Sequence, residues 1–271
     1  MKHRTKALIA LLTAILFLPT LAYAAGPDSN CTGLPTYSQL KEKLDAAVNA
    51  ETSGLNLHMW ATVVNRDGVV CAVAFSGTHR GAQWPGSRAI SAQKANTANA
   101  FSLDRTSSSA GSGRVNGLAL STANLYSAVQ PGGSLFGLQV SNPVDHEAAY
   151  KGPSSLYGTS NDPLVGEKIG GVNVFGGGLA LYGENQQLLG GLGLSGDTSC
   201  ADHFIAWRLR NLLELDHLLG VGGVSGDALR PDNMIYDITE NPAGGTGKSA
   251  GGFGHPNCGG PAPNTLPQVR A

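Results

Sequence analysis

The stretch 172–213, VNVFGGGLALYGENQQLLGGLGLSGDTSCADHFIAWRLRNLL, limits what this chain can fold into more than any other part of it. Residues 172–182 and 188–195 read as two glycine-broken β segments, with Gly183-Glu184-Asn185-Gln186 turning between them. Gly178, Gly183, Gly190 and Gly191 mark places where backbones can approach more closely than a side chain would allow. A helix follows. Ser199 is its candidate N-cap with Asp202 three residues on, and Phe204, Ile205, Leu209, Leu212 and Leu213 share one face. A hairpin feeding a helix cannot bury its apolar face alone, so the rest of the chain must supply the opposing layer.

The upstream half has a matching set of elements. Residues 36–53 predict a helix, with Thr36 as cap, Gln39 answering it, Leu40, Leu44, Ala47 and Val48 on one face, and Gly54 as the stop. Residues 57–64 and 69–75 predict strands joined at Asn65-Arg66-Asp67-Gly68, where Asp-Gly is a strong hairpin signal. Leu57, Met59, Ala61 and Val63 alternate with His58, Trp60, Thr62 and Val64, so both faces are apolar enough to be covered. Ser87 opens a second helix over 88–101, whose small residues (Ala89, Ala92, Ala95, Ala98, Ala100) predict close packing on a neighbour, including one in another subunit. A short helix is predicted over 118–129, ended by Pro131-Gly132-Gly133. The order α-β-β-α-α-β-β-α predicts an α+β domain, an antiparallel sheet from two β-hairpins flanked by helices. It spans 25–219, with turn-rich insertions at 104–117 and 141–171, and a Gly/Pro-rich tail at 220–271 that is expected to be ordered only in part.

Residues 1–24 read as a secretory signal: Lys2, Arg4 and Lys6, an apolar run over 7–18 too short to span a bilayer comfortably, and an Ala22-Tyr23-Ala24 cleavage site. The expected location is periplasmic or secreted, with no membrane attachment after cleavage. Removing the three leader cations from 18 basic and 19 acidic residues leaves 15 against 19, a net of −4. That balance argues against nucleic-acid and anionic-lipid partners. Glycine, at 38 residues, is about twice its average usage and is not periodic, which excludes collagen.

After export, four cysteines predict two disulfides, and the preferred pairing is Cys31–Cys71 with Cys200–Cys258. An alternative uses Cys200-x-x-His203 and His255-x-x-Cys258 as a tetrahedral zinc set. Gly191-Leu192-Gly193-Leu194-Ser195-Gly196 is a literal GxGxxG between strand and helix. The segment after the helix, Gly220-Val221-Gly222-Gly223, is no apolar parallel strand, so these glycines read as hairpin and strand–helix packing and not as a dinucleotide site.

Five blocks carry a family resemblance: VVNRDGVVCAVAF, SRAISAQKANTANAF, YSAVQPGGSLFGLQVSN, VFGGGLALYGENQQLLGGLGLSGDT and ADHFIA. In order and spacing the chain resembles the GlcG/HbpS-like haem-binding family, related to the C-terminal domain of PduO-type cobalamin adenosyltransferases. The resemblance covers about 36–213 apart from the insertions. It implies an antiparallel sheet flanked by helices, a homo-oligomer, and non-covalent binding of haem or a related tetrapyrrole.

No CxxCH is present, so the c-type covalent haem linkage is not expected. Non-covalent binding needs an apolar slot, an axial donor and cations for the propionates. His79 and His203 are the candidate iron donors, with Arg80 and Arg88 for the carboxylates, and His58 and Met59 as further donors that equally suit the sheet. His146, between Asp145 and Glu147, suits an exposed charged loop better than a metal site. Neither GxSxG nor HExxH occurs, and Ser195, Asp202 and His203 do not point together as a triad. The function predicted is haem or iron handling, or redox sensing, without catalysis; the alternative is an oligomeric enzyme or accessory subunit acting on a small exported metabolite.

Overall fold

The structure, a computed structural model, describes residues 30–108, 116–245 and 247–271. The signal at 1–24 and residues 109–115 of the first insertion lie outside the described residues. Helix α1 (Tyr37–Asn49) opens on the expected capping box: Thr36 N–H donates to Gln39 Oε1 at 2.9 Å and Gln39 N–H to Thr36 Oγ1 at 3.4 Å. Strands β1 (Trp60–Asn65) and β2 (Val70–Phe75) form the first hairpin. At its turn, Asn65 Oδ1 accepts from the N–H groups of Asp67 and Val69, and Gly68 takes φ +76°.

Helix α2 (Ser87–Phe101) leads to a short ladder of β3 (Leu103–Ser108) and β4 (Asn116–Leu118). After the four-residue α3 (His146–Ala149), β5 (Gly178–Tyr182) and β6 (Leu188–Ser195) make the second hairpin, and α4 (Ser199–Leu212) closes the core. The main sheet runs β2-β1-β6-β5 with every neighbour antiparallel. The two hairpins thus join side by side through β1 and β6, as the element order predicts.

Both faces of the sheet are covered. Ala61, Val63, Ala72 and Ala74 pack with Leu40 and Leu44 of α1 and with Phe204, Ile205 and Leu209 of α4. Trp60, Val64, Val73 and Phe75 pack with Ala89, Ala92 and Ala95 of α2 and with Ala149, Leu164 and Ile169 of the second insertion. The alternation along β1 therefore feeds two cores, which is why all six of its residues are buried.

The glycines of the GxGxxG run serve this packing. A Cβ on Gly193 would fall on the Ser91 carbonyl oxygen, and one on Gly191 on the Ala95 carbonyl oxygen. Helix α2 therefore lies with its backbone directly on β6, and Thr62 and Ser91 share a 2.7 Å hydroxyl bond in the seam. The small-residue face of α2 is filled by the chain's own sheet.

Three local expectations are corrected. Residues 118–129 do not form one helix: β4 ends at Leu118, and two 3-10 turns follow, Thr122–Leu125 and Ser127–Val129. Thr122 Oγ1 donates to the Phe175 carbonyl and accepts from Gly178 N–H at 2.8 Å, so tertiary backbone groups take up the hydroxyl that sits at the head of this segment. Of residues 172–182, only Gly178–Tyr182 is strand. Helix α4 is capped by Thr198, whose Oγ1 accepts from Ala201 N–H at 3.3 Å, and not by Ser199. Asp202 turns back instead to the N–H groups of Gly196 and Asp197.

The segment after α4 wraps that helix. Met234, Leu266 and Val269 enter the α1/α4 core, and Trp207 Nε1–H donates to the Pro267 carbonyl at 2.9 Å. Both predicted disulfides, Cys31–Cys71 and Cys200–Cys258, are present, and no described cysteine is free. No helix among the described residues is long and apolar enough to cross a membrane.

Candidate functional site

The end of β2 and the loop after it form one wall of a cleft of about 420 Å³, with α1 and residues 154–159 opposite. Its floor is aromatic. Phe75 stacks on Trp60 with ring centroids 4.4 Å apart, and the Tyr37 hydroxyl donates to the Gly158 carbonyl at 3.2 Å, tying α1 to the far wall. Gly77 and Gly158 let the backbone close over these rings; a Cβ at either would strike Phe75. His79 and Arg80 stand at the rim, both exposed, at the start of the 3-10 turn Arg80–Ala82. Neither side chain has a hydrogen-bond or ion-pair partner among the described residues. Lys41 also lines the cleft but is paired with Asp45 one turn on.

The other candidates lie elsewhere. Arg88 is buried: Nε donates to Asp162 Oδ2 at 2.9 Å, NH2 bonds Oδ1, NH1 donates to the Ala149 carbonyl at 2.8 Å, and the guanidinium covers the Tyr157 ring at 3.6 Å. Each guanidinium nitrogen is engaged and the side chain is buried, so Arg88 builds the wall behind Tyr157 and is not presented to a ligand carboxylate. His203 is fully buried between Phe204 and Trp207. Its Nε2 bonds Asn233 Oδ1 at 3.3 Å, while Nδ1 has no partner among the described residues. Burial pushes its pKa down to about 4. His203 and His79 are therefore not brought together. His58 bonds Ser76 Oγ through Nδ1 at 3.2 Å, and Met59 is core. Asp145 caps α3 by accepting from the N–H groups of Glu147 and Ala148, which makes the His146 loop a helix start.

Two arrangements escape the sequence patterns. Lys94 of α2 reaches Asp202 of α4 at 2.6 Å and the Leu194 carbonyl at 2.9 Å, all out of water. Burial pushes the Asp202 carboxyl up to about 6 against the pull of Lys94, and pushes the Lys94 ammonium down. Second, Ser199 and His255, 56 residues apart, share a 2.7 Å hydrogen bond. Because His255 Nδ1–H donates to the Pro256 carbonyl at 2.7 Å, Nε2 is the acceptor and the serine hydroxyl the donor. Among the described residues no carboxylate is bonded to the imidazole. Burial lowers its pKa to about 4.

Residues 36–209 match the family described as haem degrading protein HbpS-like. The chain belongs to the HbpS-like family. No curated protein matches it in sequence. Two solved structures resemble this HbpS-like chain. The Klebsiella pneumoniae protein ORFY is 23% identical, with a TM-score of 0.40, over 66% of this chain and 90% of its own. A PduOC:haem complex is 21% identical, with a TM-score of 0.41, over 65% of this chain and 89% of its own.

Proposed function

We propose that this HbpS-like protein is exported and binds haem non-covalently in the cleft between β2, α1 and residues 154–159. The observation that carries the reading is the pairing of an uncommitted imidazole, His79, with an uncommitted guanidinium, Arg80, at the rim of an aromatic-floored cleft. These residues fit the ligand: an imidazole can serve as an axial donor, a guanidinium binds carboxylates in a fork, and Phe75, Tyr37 and Tyr157 offer apolar faces. Bound haem would supply a redox-active iron that a protein nitrogen can ligate. The chain's part is to hold it: His79 as donor, Arg80 on a propionate, and the rings excluding water from one face. Export rests on the leader at 1–24 and agrees with two disulfides, a pattern of oxidising compartments.

Haemin titrated into purified protein is expected to give a saturable Soret shift. His79→Ala should weaken binding roughly tenfold, about 1.4 kcal/mol, because apolar contact supplies most of the affinity. The absence of any saturable shift in the wild type would refute the reading. The family description favours a second reading, haem degradation; it predicts that the Soret band of the complex decays once a reductant and oxygen are supplied, whereas simple binding leaves it stable.

The same reading includes a homo-oligomer larger than a dimer, supported by the family resemblance. Light scattering at micromolar concentration is expected to give at least three chain masses, and a monomeric mass would reject it.

A further inference from the structure

Cys200 and Cys258 are joined in the oxidised chain, and the groups around them are soft donors. The two sulfurs and a ring nitrogen of His255 lie within 4.8 Å of one another, the one such convergence of three His, Cys, Asp or Glu side chains among the described residues. The Met234 thioether sulfur is 3.8 Å from Cys200 Sγ. Cys200, Met234 and His255 are buried, whereas Cys258 is exposed. Tyr236 O–H and Cys258 N–H both point at Cys200 Sγ, at 3.3 and 3.2 Å. Cys200 also sits in the first turn of the 14-residue α4, where the helix end favours a thiolate.

We propose that opening this disulfide creates a copper(I) site made by Cys200, Cys258, His255 and Met234. This goes beyond haem binding and does not depend on it. A dithiol reductant supplies the two electrons. Its thiolate attacks the exposed Cys258 Sγ, the Cys200–Cys258 bond breaks, and the electron pair leaves on Cys200 Sγ. The reductant's second thiol then resolves the mixed disulfide, leaving the reductant oxidised and both cysteines reduced. The metal displaces the thiol protons and is held by two thiolates, one imidazole and one thioether. His255 is anchored through both nitrogens, on Ser199 Oγ and on the Pro256 carbonyl; coordination trades one bond and keeps the other as the orienting contact.

The choice of ion follows from the fourth donor. The sequence pattern offers His203, which would complete a zinc set. The structure instead holds His203 on Asn233 and puts a thioether beside the sulfurs. Thiolates suit several soft ions, zinc among them, but zinc sites draw on Cys, His and carboxylates, so the thioether favours copper(I).

The test uses the full mature chain, reduced with a water-soluble phosphine and cleared of it without oxygen. Copper(I) is presented as its bathocuproine complex, and transfer is read as loss of the chelate colour. One equivalent should move to reduced wild type and none to the oxidised protein. His255→Ala and Met234→Leu, which keep both thiols, should each weaken binding by roughly tenfold or more. The double variant Cys200→Ser/Cys258→Ser should lose that equivalent, with circular dichroism reporting whether it folds. The proposal is overturned if reduced wild type takes up no copper(I). It is also overturned if His255→Ala and Met234→Leu both bind like wild type, which would mean that a bare dithiol suffices, or if zinc displaces copper(I) from the site.

Discussion

Asp232→Ala is expected to destabilise the protein by roughly 3–5 kcal/mol, the range for stripping one partner from a buried ion pair. Asp232 accepts from Arg210 NH1 at 2.6 Å and NH2 at 2.9 Å, and neither side chain is more than 1% exposed. Arg210 also donates to the Ala180 carbonyl of β5 at 3.1 Å and lies over the Trp207 ring at 4.5 Å. The guanidinium thus clamps three parts of the chain, α4, the sheet edge and the segment after α4. Removing the carboxylate leaves a full positive charge in the core with only a carbonyl and a ring to face. The pair itself need not be strongly stabilising, since desolvation of both ions offsets most of their attraction. Arg210→Met/Asp232→Leu is therefore expected to be much milder than Asp232→Ala. Urea unfolding of both variants measures the difference. A loss under about 1 kcal/mol for Asp232→Ala would mean that the pair is hydrated and the clamp is not the one described.

The elements of this fold that are legible in the sequence are those whose signals are local. Asn65-Arg66-Asp67-Gly68 turns a hairpin through its own side-chain bonds, and Thr36 with Gln39 caps α1 within four residues. The alternation in β1 correctly predicts two covered faces. Residues 118–129 are misread because Thr122 and Asn124 find partners far along the chain: Phe175 and Gly178 for Thr122, and the Asn233 carbonyl for Asn124. No periodicity encodes such contacts. The close packing of α2 is legible in its alanines, but the partner is β6 of the same chain, and only the Gly191 and Gly193 contacts reveal that.

The candidate site divides in the same way. His79 and Arg80 are neighbours in sequence, and their loop between β2 and α2 is visible in the pattern. Arg88 looks equally available, yet Asp162, 74 residues on, takes it. That the four cysteines form two disulfides comes from count and compartment, while the choice of pairs comes from placement, the start of the mature chain against the first hairpin and the tail against the final helix. The Ser199–His255 contact and the Met234 sulfur depend on how the segment after α4 folds back, and its glycine-rich composition hides that path.

Acid is expected to destabilise this protein through its buried histidines. His203 and His255 both have values of about 4 in the folded chain, pushed down from the usual 6.5 mainly by burial. Between pH 6.5 and 4 the unfolded chain therefore binds more protons than the native one at these two sites, so stability rises with pH there and is lost as pH falls. Each histidine contributes a loss of about 3 kcal/mol across the window, at about 1.4 kcal/mol for every pH unit that separates its folded and unfolded values. Asp202 acts in the opposite sense. Its folded value, about 6 against an ordinary 3.8, makes the native state the better proton binder between those values, and offsets about one histidine. The net expectation is a fall of about 3 kcal/mol from pH 6.5 to pH 4. Two variants separate the contributions in urea titrations at several pH values. His203→Gln removes a titrating group whose Nδ1 already lacks a partner, and should flatten the pH dependence. Asp202→Asn removes the opposing group, and should steepen it. The comparison rests on slopes, so the baseline cost of either substitution drops out. A wild-type stability that is level from pH 6.5 to pH 4, or a His203→Gln slope equal to that of wild type, would show that the buried imidazole is not what couples this fold to acid.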